Sequence, residues 1–190
     1  MNLRTLLLAA ALAAASMPAL AAGRTVLDPH LPRSLPAQGP VDVRWTDPAA
    51  FTELRHSGNR FEARRGTWVV DIAEHLRRAA ERRLPAGERL EIEITDIRRA
   101  GNYEPWRGIQ YDHVRFLTDL YPPRMAMRVR RIGADGAPLG ERDVVLIDAA
   151  YLMGPGSGFD NDPLRFEKHM IDRWAQRELG PRLGADRHAP

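Results

Sequence analysis

Tyr103, Trp106, Tyr111, Phe116 and Tyr121 all fall in one stretch, residues 101–124, that has neither a helical nor an alternating hydrophobic period. Arg107, Arg115 and Arg124 are interleaved with these rings, and Asp112 and His113 sit at the centre. Aromatic faces can stack on a sugar, a peptide or an unpaired base, while guanidinium and carboxylate groups add directional hydrogen bonds. Loops of this length are uncommon in compact domains unless they are functional or disordered. Tyr103, Trp106, Arg107, Tyr111 and Arg124 are therefore the candidate ligand-binding residues. Val114, Phe116, Leu117 and Leu120 invite the opposite reading, in which the rings pin the loop to the sheet.

Other chemistry is less well provided for. Asp112 and His113 could form a general base oriented by a carboxylate, the basis for a small hydrolase as the alternative function. Adjacent side chains of an extended segment point apart, however, and no serine nucleophile motif accompanies them. Gly154, Gly156 and Gly158 precede a helix start as in an anion cradle, but no lysine follows, and Asp160 and Asp162 would repel phosphate. Asp160, Asn161 and Asp162 fall short of the six to eight oxygens that calcium takes. The histidines, at 30, 56, 75, 113, 169 and 188, show no HExxH or other close ligand spacing. No catalytic residue, metal or cofactor is assigned.

The elements that must carry the loop are legible from hydrophobic period. Val41, Val43 and Trp45 alternate with polar residues, as do Leu90, Ile92 and Ile94, and Met125, Met127 and Val129. Residues 144–147 form a short continuous apolar run suited to a central strand. A turn at Ala134-Asp135-Gly136-Ala137 joins the last two strands as an antiparallel hairpin. Val69, Ile72, Ala73, Leu76, Ala80 and Leu84 make one stripe of a helix over 67–84, capped by Thr67 and stopped by Pro85 and Gly87. A second helix begins with Asp162 as cap and Pro163 at its first position, buries Leu164, Met170, Ile171 and Trp174, and closes at Gly180. The order β-α-β-β-β-α predicts an α+β two-layer sandwich, a mainly antiparallel four-stranded sheet with both helices on one face.

Composition sets the class. A chain of 190 residues with 44% hydrophobic and 28% charged residues is neither disordered nor a polytopic membrane protein. Zero cysteines excludes disulfides, thiolate metal sites and a cysteine nucleophile. Positive charge is nearly all arginine, with Lys168 the single lysine, and it is interspersed with acidic residues, so no large field of one sign favours nucleic acid. A positive start at 1–4, an unbroken apolar run at 6–15 and the small-x-small site Ala19-Leu20-Ala21 make residues 1–21 a secretory signal peptide. The apolar run spans only about 15 Å as a helix, too short for an anchor, so no stable membrane insertion is expected after processing. Cleavage is expected after Ala21, by the general secretory route, into the periplasm of a Gram-negative bacterium. Residues 22–40, rich in proline, read as an extended tether, 41–179 as the single domain and 180–190 as a disordered tail.

Four segments carry a family likeness: 90–101 (LEIEITDIRRAG), 121–124 (YPPR), 162–174 (DPLRFEKHMIDRW) and 41–51 (VDVRWTDPAAF). Together they resemble the proteobacterial domain-of-unknown-function family 3016, over nearly the whole of 41–179. The resemblance implies a small exported protein with no established activity, cofactor or catalytic residues to carry over. The stretch 55–65 departs from the pattern as an insertion would. Export, a single tethered domain and the aromatic–arginine loop lead to the expectation of a non-catalytic periplasmic domain with a protein or glycan partner in the cell envelope.

Overall fold

The computed structural model describes residues 24–153 and 161–179. Along the chain come β1 (Val41–Trp45), the single-turn helices α1 (Thr52–Arg55) and α2 (Arg60–Ala63), and the long α3 (Trp68–Glu81). After them come β2 (Arg89–Arg98), the two-residue strands β3 (Asn102–Tyr103) and β4 (Arg115–Phe116), β5 (Arg124–Ile132), β6 (Pro138–Ile147) and α4 (Arg165–Glu178). The fold is α+β, built on a four-stranded sheet in the order β1-β2-β5-β6. β1 and β2 run parallel because α3 carries the chain back over the sheet, whereas β2, β5 and β6 pair antiparallel.

Period two decides which residues the sheet buries. Val41, Val43, Leu90, Ile92, Ile94, Met125, Met127 and Leu146 face α3 and α4, and all are buried. α3 supplies Val69, Ile72, Ala73, Leu76 and Ala80 from its apolar stripe, and α4 supplies Met170, Ile171 and Trp174, so the two helices and the sheet share one core. The register shifts between Ile94 and Asp96, and this bulge returns Ile97 to the core while Asp96 stays on the other face with Ala126. That other face is laced with ion pairs: Glu93 holds both Arg44 and Arg128, Glu91 holds Arg130, and Asp42 holds Arg89. Cross-strand pairs of opposite charge stabilise such a face and cancel its field.

Four expectations need correction. The run 144–147 belongs to a ten-residue strand at the sheet edge, not to a central one. Val144 and Leu146 turn toward the core while Val145 and Ile147 are exposed, so the continuous run is an alternating strand with apolar residues on both faces. The segment 24–40, read as a tether, is docked along the domain: Ser34 bridges Arg44, Thr25 bridges Arg65, Leu35 is buried, and buried Arg77 donates to the Pro36 carbonyl at 2.8 Å. Proline blocks regular pairing but leaves isolated bridges, one to the β1 edge at Arg44 and one to Arg65. Next, α4 starts at Arg165 with Leu164 as its cap residue. Asp162 lies a turn earlier, where its carboxylate accepts from the Leu164 amide at 2.8 Å and binds Lys168. Thr67 does precede α3, but its hydroxyl donates to Asp71 and makes no backbone cap. Among the described residues no helix is long and apolar enough to cross a membrane. The readings of 1–21, 154–158, Asp160 and 180–190 lie outside the described residues.

Candidate functional site

The stretch 101–124 is anchored from beneath by a carboxylate on a different element. α1 places Glu53 in the interior, its side chain only 3% exposed, where both oxygens are taken by arginine. The Arg99 amide donates to Oε2 at 2.9 Å, Arg99 Nη2 donates to Oε1 at 2.9 Å, and Arg115 Nη2 donates to the same Oε1. Arg115 Nη1 also donates to the Ala100 and Gly101 carbonyls at 3.1 and 2.8 Å. Its guanidinium lies 4.8 Å from the Tyr103 ring centroid, as Arg99 lies 4.6 Å from that of Trp68. Burial works against the charge on Arg115, but Glu53 and Tyr103 outweigh it and hold its pKa above the ordinary arginine value. Each of the two arginines meets the buried Glu53 carboxylate, so that carboxylate is paired, as its burial requires.

A second clamp closes the outer half. Glu104, also buried, accepts from Arg107 and from the Tyr121 hydroxyl, the latter at 3.0 Å. The Arg107 hydrogen bond holds the Glu104 carboxyl below its usual range. Arg107 then lies over the Phe116 ring at 4.4 Å, and Tyr111 meets the same ring edge-on at 6.1 Å. The Gly101 amide donates to the Tyr121 carbonyl at 2.9 Å and the Tyr151 hydroxyl to the Thr118 carbonyl at 2.7 Å. With its backbone tied at these points, the loop projects Trp106 and Ile109 outward, 70% and 84% exposed.

The five candidate residues thus divide. Trp106 and Tyr111 are exposed at the tip and available for contact. Arg107 is half-exposed between them, its charge engaged by Glu104. Tyr103, 8% exposed, belongs to the core and pins the loop. Arg124 is the first residue of β5 and binds Asp96 at 2.7 Å, while Asp96 also accepts from the Thr52 amide and hydroxyl. The pinning reading describes Tyr103, while Trp106 and Tyr111 face solvent.

Asp112 and His113 do not assemble. The Asp112 carbonyl accepts from Asn59 Nδ2 at 2.9 Å, and His113 is exposed with no hydrogen-bond or ion-pair partner among the described residues. No group of three or more metal-ligating side chains occurs among the described residues. Sequence reasoning missed the buried carboxylates Glu53, Glu104 and Glu167. Glu167 Oε1 accepts from the Ala100 amide at 2.6 Å, while buried Oε2 has no hydrogen-bond partner among the described residues. Its one sequence signal is position: Glu167 follows buried Leu164 and precedes buried Met170 at helical spacing. Glu53 and Glu104 carry no such signal.

A family model described as "Protein of unknown function (DUF3016)" matches residues 39–177. No curated protein and no solved structure matches the chain. The match spans every strand of the sheet, both clamps of the loop and nearly all of α4. The chain belongs to the DUF3016 family, whose function is unknown.

Proposed function

We propose that this protein is an exported, non-catalytic binding domain that engages a protein or glycan of the cell envelope through the tip of 101–124. The observation that carries the reading is the exposure of Trp106 on a backbone held by buried ion pairs. A large ring held open to solvent on an ordered loop binds at low entropic cost, and such rings dominate contact energies in protein and sugar recognition. Ile109 and Tyr111 extend the apolar surface beside it, and half-exposed Arg107 offers a cation at its edge. Export rests on the charged, apolar and small-x-small organisation of residues 1–21.

The test compares wild-type protein with Trp106→Ala, each immobilised and exposed in parallel to solubilised envelope proteins and to purified peptidoglycan. A protein or glycan retained by the wild type and lost by the variant, at an unchanged thermal midpoint, is the expected result. Identical retention by both forms overturns the role of the tip. N-terminal sequencing of the protein recovered from a periplasmic fraction checks the leader, with Ala22 expected as the first residue.

A further inference from the structure

A second surface, independent of the loop tip, is built from the insertion-like stretch 55–65. Arg55, His56, Arg60 and Arg64 line an open concavity of about 550 Å³ beside α1 and α2, together with the apolar side chains of Leu27, Leu54 and Phe61. Among the described residues no acidic side chain lines it. The acids nearest in sequence are committed elsewhere, Glu53 to Arg99 and Arg115, and Glu62 to Arg65 at 2.9 Å.

Arginine pairing elsewhere makes this cluster stand out. On the open face of the sheet Arg44, Arg89, Arg128 and Arg130 each meet a carboxylate. Arg55, Arg60 and Arg64 have no carboxylate within 4.0 Å among the described residues, and all three border the same hollow. Like charges gathered without a counter-ion repel one another, a cost that a bound anion would remove.

The positions of the three are also set in advance. Asn59 caps α2 by accepting from the Phe61 and Glu62 amides, both at 3.1 Å, and its amide group ties that turn to the Asp112 carbonyl. Arg60 Nη2 donates to the Arg55 carbonyl at 3.3 Å, joining α2 to the end of α1. The Arg64 guanidinium rests 5.2 Å from the Phe61 ring centroid, and its carbonyl accepts from Thr25 and Val26 in the docked N-terminal segment. The backbone that presents the cations is therefore fastened on both sides.

We infer that this concavity binds a phosphate group carried on a partly apolar molecule. Three guanidinium forks match a phosphate, with three acceptor oxygens and nearly two negative charges, better than a singly charged carboxylate. Leu27, Leu54 and Phe61, the last 59% exposed, supply the surface for whatever the phosphate is attached to. A phospholipid headgroup and a soluble phosphorylated molecule share this chemistry.

Calorimetric titration of the purified protein at low ionic strength, with inorganic phosphate and with dihexanoyl phosphatidic acid as the two probes, tests the site. Saturable binding is expected, weakened about tenfold by Arg60→Gln. Arg55→Gln, whose guanidinium makes no hydrogen bond among the described residues, is expected to weaken it likewise and guards against misfolding of the first variant. Arg83→Gln removes an equally unpaired, exposed arginine outside the concavity and should change nothing. Tighter binding of the lipid, with the excess abolished by Phe61→Ser, identifies a headgroup; equal affinities identify a soluble phosphate compound. Absence of saturable binding to both probes, an unchanged affinity in both Arg55→Gln and Arg60→Gln, or an equal loss in Arg83→Gln overturns the inference.

Discussion

Arg115 and Glu53 stand 62 residues apart in the chain and share a buried hydrogen bond that fastens 101–124 to α1. The same Glu53 oxygen receives Arg99, so one carboxylate is shared by two guanidinium groups that are themselves largely buried. The loop's rigidity, and with it the presentation of Trp106, depends on this arrangement.

Glu53→Gln tests that dependence. Removing one partner of a buried ion pair leaves uncompensated charge, a loss of about 3 kcal/mol. Urea unfolding should show that loss, and amide exchange across 102–116 should accelerate more than exchange in α3. Unchanged exchange in the loop would mean that β3, β4 and the Glu104 clamp suffice.

Two aromatic substitutions within four residues should behave in opposite ways. Tyr103→Ala empties a core position and is expected to destabilise by about 3 kcal/mol. Trp106→Ala removes an exposed ring and should stay within about 0.5 kcal/mol of wild type. The fluorescence lost with Trp106 should be its solvent-exposed, red-shifted component, since Trp45, Trp68 and Trp174 are buried.

Gly101 adopts a φ of +75°, and a Cβ there would stand 2.6 Å from the Phe116 carbonyl oxygen. Gly136 in the β5–β6 hairpin has a φ of +80°, and no atom of the described residues lies within 4 Å of its Cβ position. Gly136→Ala should therefore cost only the backbone term, about 1 kcal/mol. Gly101→Ala adds a clash with backbone that pairs β3 to β4, so its unfolding midpoint should fall well below that of Gly136→Ala. Equal midpoints would argue that β4 shifts without penalty.

Glu167 gives a pH dependence with a definite sign. Burial pushes its carboxyl pKa up, more than the Ala100 amide and the Arg99 and Arg115 charges pull it down. The folded state then holds the proton more tightly than the unfolded state. Its contribution to stability is complete below the ordinary glutamate pKa, falls as pH rises from about 4.3 through the raised folded value, and is flat above it. Glu167→Gln keeps the shape without the charge and should flatten that part of a urea-midpoint profile while raising stability at neutral pH. A wild-type profile that rises across the same interval would contradict the sign.

Hydrophobic period was enough to place β1, β2, β5, α3 and α4 within a few residues, because alternation and a 3.6-residue stripe are local consequences of facing one core. The edge position of β6 was not legible in this way: an apolar run at 144–147 looks the same whether one or two neighbours flank it. The bulge at Ile94/Asp96 had left a trace, since Ile97 breaks the alternation of Leu90, Ile92 and Ile94 by one residue. The single-turn helices α1 and α2 were hidden, four residues being too few to display a period.

For the candidate site the division is sharper. The chain's own order announces an aromatic and arginine-rich stretch, and residue types alone make Trp106 a plausible contact. Which rings face inward is decided by partners far away: Glu53 takes Arg115, Asp96 takes Arg124, and Asn59 takes the carbonyl of Asp112. Electrostatic pairing acts through space and carries no spacing rule along the backbone, so Tyr103 and Trp106 look alike in one dimension and occupy core and solvent in three.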